Sequence, residues 1–250
     1  KIDVTGGWHD AGDYGRYVVP GAKTVADIIS AYDANPSAFS DNTGIPESGN
    51  KVPDILDEAR YELEWFLKMQ DSASGGVYHK VTCANFPGNV MPEKETDELI
   101  VSPMSTTATA DFAATMALSY ETFKSYDAKF ANQCLAAAEK AWVWLGANFP
   151  GGFANPEGVV TGEYGDGRYT DEIFWAAAEL YKVTGKAAYN DYIVKEYSPM
   201  VPAGFGWADV GYYGMAAYLS IPADKVDSAT YTTFKNALIQ KADTIVSDSK

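Results

Sequence analysis

Residues 6–17, GGWHDAGDYGRY, set Asp10 and Asp13 three positions apart among four glycines, with Trp8, Tyr14 and Tyr17 alongside. Two carboxylates on one short loop can activate a water, hold a calcium ion, or cap backbone N–H groups in an Asx turn. The glycines favour close approach of a ligand to the backbone, and the aromatic rings offer flat apolar faces. Carboxylates beside flat faces suit sugars, whose ring C–H faces pack on aromatics and whose hydroxyls donate to carboxylate oxygens. A second acidic group lies in YGDGRYTDE (164–172), where Asp166, Asp171 and Glu172 crowd around glycines. Hard oxygens of this kind suit Ca²⁺. They equally suit a helix start, with Thr170 as N-cap and the two acids in the first turn. The chain has two histidines, His9 beside Asp10 and His79 in GGVYHKVT (75–82). An isolated histidine is more often a satisfied polar group than a ligand, and one histidine is not a zinc site.

The whole chain narrows these options. Its 250 residues, 46% of them hydrophobic, are enough for one large domain with a real core. The net charge of −15 sets up a field that repels phosphate backbones and anionic lipid, so neither nucleic acid nor membrane is an expected partner. No apolar run approaches the roughly 20 residues needed to span a bilayer. Aromatic residues make up 14% of the chain and must pack in the core or around a ligand. Cys83 and Cys134 are compatible with a disulfide or with two buried thiols.

The elements that must hold these residues are helices. VPDILDEARYELEWFLKM (52–69) carries Ile55, Leu56, Ala59, Leu63, Phe66 and Leu67 at i, i+3, i+4 spacing, with Pro53 in the first turn. Helices are likewise predicted over 106–123, 128–148, 170–184 and 230–246, with weaker signals over 21–32, 187–197 and 210–219. Trp65, Trp142 and Trp144 sit at helical spacing among Ala and Leu and read as core. Strand signals are too short to build a sheet core. Several helices are apolar around most of their circumference, as expected where a helix is covered on two sides. The class is all-α, with helical hairpins laid side by side in a double layer.

DVTGGWHDAGDYGRYVVPGA (3–22) resembles the signature of the family nine glycoside hydrolases, inverting cellulases with an (α/α)6 barrel. The resemblance continues in the family's order through residues 52–70, 75–82, VSPMSTTATADFAATMA (101–117), TDEIFWAAAELYKVTG (170–185) and GWADVGYYGMAAYL (206–219). It implies an (α/α)6 barrel, incomplete here with about eight of twelve helices, and residues 1–250 as the N-terminal portion of a single catalytic domain. It implies Asp13 as the general base and Asp10 as its partner in holding the attacking water. In an inverting pair the acid lies roughly 6.5–9.5 Å from the base, so two aspartates three residues apart form the base side only. The family's acid is a glutamate in an Asn-Glu context that nothing after Trp207 provides, and the acid and the remaining helices are expected outside this chain. Substrate contacts are implied for His79, Trp207 and Tyr164, with Trp8 open between core and cleft.

The resemblance also implies calcium at Asp171, Glu172 and Asp209, with Asp166 nearby, and makes His9 a possible orphan zinc ligand. The expected reaction is hydrolysis of β-1,4-glucan by a secreted enzyme. Other β-linked substrates (mixed-linkage glucan, xyloglucan, chitosan oligosaccharide) and a non-catalytic carbohydrate-binding domain are the alternatives.

Overall fold

The computed structural model describes residues 2–147, 152–197 and 204–249. Among the described residues eight α-helices run in order: α1 (Val18–Ala34), α2 (Asp54–Met69), α3 (Thr106–Phe123), α4 (Ala128–Ala147), α5 (Thr170–Thr184), α6 (Ala187–Tyr192, continued by a π-helical turn), α7 (Gly211–Ser220) and α8 (Ser228–Asp248). Each falls where the periodicity predicts one. The expected end of α4 at Asn148 lies outside the described residues.

The odd-numbered helices pack in a row, α1 on α3, α3 on α5 and α5 on α7. Each also packs on the helix that follows it, so α2, α4, α6 and α8 form an outer layer. This explains why the inner helices are apolar all round. From Thr106 to Ser119 every residue of α3 is buried, and α5 is buried from Asp171 to Leu180. Several hydroxyls inside α3 find partners within the helix. Ser105 Oγ caps it by accepting the Ala108 N–H at 3.1 Å, and the hydroxyls of Thr109, Thr115 and Ser119 donate to carbonyls four residues back at 2.6–2.7 Å. Gly185 ends α5 in the left-handed region (φ +66°), where glycine carries no Cβ penalty.

A main core cluster joins α1 to α5 around Phe66, Phe112, Trp65 and Trp175. A second joins α5, α7 and α8 around Phe174, Tyr218 and Phe234. Trp65 is core as expected, whereas Trp142 and Trp144 are only partly buried at its edge. Cys83 and Cys134 are both buried free thiols. Among the described residues no helix is long and apolar enough to cross a membrane.

The helices carry a small antiparallel sheet at one end: β1 (Arg16–Tyr17), β2 (Lys80–Thr82) and β3 (Ile100–Val101). Tyr17 pairs with Lys80, and Val81 pairs with both Arg16 and Val101. Two- and three-residue strands leave no alternation to detect, so this sheet is invisible to a periodicity reading. It nevertheless clamps the loop of Asp10 and Asp13 to the segment that carries His79.

Candidate active site

The loop before β1 takes its shape from what it packs on. Gly7 has φ +78°, and a Cβ there would lie 2.6 Å from Trp65 Cγ, so only glycine lets the chain pass over the buried indole. The next residue is held from below by α2: Trp8 N–H donates to Glu62 Oε2 at 2.6 Å and its indole N–H to Glu58 Oε1 at 2.7 Å. Arg16 donates to the carbonyls of Val4 and Gly6, fixing the other side. Burial pushes the Glu62 carboxyl up to about 8, with the nearby Glu58 acting in the same direction and Arg16 and the Trp8 N–H against it.

A cavity of about 450 Å³ opens above this loop, lined by Asp10, Asp13, Tyr17, Tyr164, Trp207 and Phe86 among others. The loop closes on itself through Asp10 N–H to Gly15 O at 2.8 Å, which brings both carboxylates to the same cavity. Tyr17 donates its hydroxyl to Asp13 Oδ2, and Tyr164 donates to Asp10 Oδ2 at 2.7 Å. Asp13 Oδ1 is buried with no protein partner among the described residues. Burial and the carboxylates they face push both tyrosine hydroxyls well above their ordinary range, so each remains a donor. Tyr17, Tyr164 and Trp207 meet edge to face, with ring centroids 4.8 and 5.0 Å apart. Trp8 and His9 line an adjoining cavity of about 490 Å³, which shares Asp10 and Tyr17 with the first.

His79 does not line either cavity. It is fully buried, stacked on Phe153 with centroids 3.7 Å apart. Its Nε2 lies 2.9 Å from the Glu163 carbonyl, which can only accept, so Nε2 carries the proton. Nδ1 then accepts from Ser105 Oγ at 2.7 Å. Burial pulls its pKa down to about 4 and keeps the ring neutral. Among the described residues His79 acts as a support: it holds the backbone next to Tyr164, which adopts φ +46° at the cleft edge. The signal that could have revealed this is its place one residue before a paired strand.

The second acidic group gathers as the sequence suggests but with additions. Asp171 and Glu172 lie in the first turn of α5, whose N-cap is Tyr169, with no side-chain cap; Thr170 is the first helical residue rather than the cap. Asp111, on the neighbouring α3, is fully buried and faces them, a member that periodicity alone assigns to the core. Both carboxylate oxygens of Asp111 and of Glu172 lack a protein hydrogen-bond partner, and both pKa values are raised strongly, first by burial and then by neighbouring acids: Asp171 and Asp166 at Asp111, Asp111 and Asp171 at Glu172. Arg168 bridges Asp171 and Asp209 at 3.3 and 2.8 Å. Orphaned buried oxygens of this type fit a hard cation. Among the described residues, however, the trio whose ligand atoms lie within 4.8 Å of one another is Asp41, Asp54 and Asp57, at the start of α2. Asp54 Oδ1 and Asp57 Oδ2 are buried and unpartnered there. Sequence reading missed this trio because its members are spread along a loop and a helix start. His9 belongs to no such group of three; it sits exposed, its ring centroid 5.3 Å from that of Tyr14.

A paired-aspartate loop with an aromatic cleft on a double layer of helices invites comparison with known folds. The description "Glycosyl hydrolase family 9" matches residues 1–249. The chain belongs to this family. Endoglucanase D of Acetivibrio thermocellus is 39% identical over all of the chain, which spans 41% of that relative's length. A xyloglucan-specific endo-β-1,4-glucanase of Bacteroides ovatus is 37% identical over 98% of the chain and 44% of its own length. A thermostable endoglucanase from Alicyclobacillus acidocaldarius superposes with TM-score 0.91 and 40% identity, over 97% of this chain and 46% of that one. The eight helices described in this family 9 chain are therefore helices of an (α/α)6 barrel, and the chain spans less than half the length of each of these three relatives.

Proposed function

We propose that this chain carries the base side of an inverting β-1,4-glucan hydrolase. One observation carries the reading: Asp13 presents one oxygen tied to the Tyr17 hydroxyl and one buried oxygen with no protein partner, at a cavity it shares with Asp10 and two aromatic platforms. A water held between Asp10 and Asp13 would lose its proton to Asp13 as its oxygen attacks the anomeric carbon from below. Tyr164 and Trp207 would bear on the sugar rings, and Trp8 would extend the contact surface into the adjoining cavity. The proton donor for the leaving oxygen is assigned to residues outside 1–250. Glu163, the glutamate on the Asp13 cavity, has an oxygen already engaged by the Asn155 N–H at 2.8 Å.

The B. ovatus relative, named as xyloglucan-specific, favours xyloglucan as the second substrate reading, with the same base. Calcium is proposed at the Asp171, Glu172 and Asp209 group, where it would neutralise the orphaned acids, and the Asp41, Asp54 and Asp57 trio offers a second oxygen site. Zinc at His9 stays a proposal that needs ligands from outside the described residues. Polymeric glucan does not cross membranes, so the enzyme is proposed to act outside the cell. The test is Asp13→Asn in the full-length protein. The amide keeps the shape but cannot accept the water's proton, so oligosaccharide hydrolysis should fall by at least about a hundredfold while binding persists. Turnover near the parental rate would refute the base assignment.

A further inference from the structure

Lys80, the first residue of β2, is left unused by the proposed chemistry. It lies on β2 directly opposite Tyr17 and its side chain is fully buried. Its Nζ donates to Gly162 O at 2.6 Å, to Thr161 Oγ1 at 3.1 Å and toward Thr161 O at 3.4 Å. It also sits 5.5 Å from the centroid of the Tyr17 ring. Among the described residues no carboxylate lies within ion-pair distance of it. An ammonium buried on carbonyls and a hydroxyl alone is an expensive way to fill a core position, and an apolar side chain would avoid the desolvation. The groups that face it belong to the cleft. Asp13 and Glu163 act on it electrostatically, Tyr17 lies beside it, and the neutral His79 ring is its chain neighbour.

We propose that Lys80 is a positioning residue for Asp13: it ties the 161–162 segment to the sheet, and through the Tyr17 ring it fixes the hydroxyl that orients Asp13 Oδ2 while supplying positive charge beneath the acidic cleft. The proposal rests on the reading of Asp13 as the base. Gly162 marks how tight the arrangement is, since a Cβ there would already lie 3.3 Å from the Tyr17 hydroxyl. Burial pulls the Lys80 pKa down to about 8, opposed by Glu163 and Asp13, so the ammonium is charged at neutral pH.

The test uses the full-length enzyme with K80M, K80R and Y17F, and with D13N as control. In K80M, kcat on cellooligosaccharides should fall by about tenfold or more with KM changed less than about threefold, and the acid limb of the kcat profile should move to higher pH. Arginine keeps the charge, so K80R should return the limb toward its parental position. Y17F breaks the link with Lys80 left in place and should move the limb in the same direction, which covers the case in which K80M does not fold. A parental limb in folded K80M or in Y17F overturns the proposal. Hydrogen exchange needs no turnover: amides 161–165 should exchange faster in K80M than in the parent, and unchanged exchange overturns the tie to this segment. Full activity in D13N would instead refute the base assignment, a result separable from the exchange measurement.

Discussion

Asp13, partly buried, and His79, fully buried, show how neighbouring polar groups can serve different ends. Asp13 keeps an unpartnered oxygen at a cavity, whereas His79 has both ring nitrogens engaged and its face covered. The His79 environment has a consequence for stability. The unfolded chain takes up a proton near the ordinary histidine pKa of 6.5, which the folded state refuses until about 4. Protons are then bound more readily by the unfolded state, so stability falls as pH drops from 6.5 towards 4, by about 3 kcal/mol in total from this residue. Urea midpoints across that range should flatten in His79→Gln, which has no such protonation step; a slope identical to the parent would show that His79 titrates normally. The grouping of Asp13 with Asp10 and the aromatic rings was legible from residue type and spacing, while the base role proposed for it came from the family resemblance. The surroundings of His79 were not legible, because residue type gives no sign of whether a ring nitrogen faces a cavity or a carbonyl.

At the scale of elements, the helices were legible and their meeting points were not. Apolar spacing marked α2, α4 and α5 because burial on one or two faces imposes a 3.6-residue period. It could not bring Asp111 of α3 to Asp171 and Glu172 of α5, since that contact depends on two inner helices lying side by side. Asp111, in the second turn of α3, and Glu172, in the first turn of α5, are both buried and both without protein partners on their oxygens. Under the calcium proposal, a bound cation stabilises the folded state by mass action, about 2.7 kcal/mol at a free concentration one hundred times Kd. EDTA should therefore lower the melting temperature and added Ca²⁺ restore it. Glu172→Gln should blunt that response if the cation sits between α3 and α5, while Asp57→Asn should blunt it if the cation sits at the start of α2. A melting curve indifferent to both reagents would leave the acids of α5 as first-turn residues favoured by the helix dipole.

At the scale of the molecule, the double layer and the family were both readable, the first from helices apolar all round and the second from six ordered motifs. The chain nevertheless spans 41% of Endoglucanase D, and the proposal assigns the proton donor to residues outside 1–250. The expected outcome is that the purified 250-residue chain fails to hydrolyse cellooligosaccharides, while the full-length protein turns them over. Hydrolysis by the isolated chain, lost on mutation of one of its own glutamates, would place the acid inside residues 1–250.

Each outer helix packs on the inner helix just before it, and each inner helix on the inner one before that. A chain emerging from the ribosome therefore meets its partners in the order of synthesis. α1 and α2 can pair before α3 exists, and each later hairpin adds to a surface already formed. The buried acids of α3 and α5 are the exception. Asp111 is made about sixty residues before Asp171 and Glu172, so vectorial growth has to hold one unpartnered carboxylate until the others arrive. Assembly of the inner row is thereby coupled to whatever neutralises that charge, whether a proton or a metal ion captured as α5 docks.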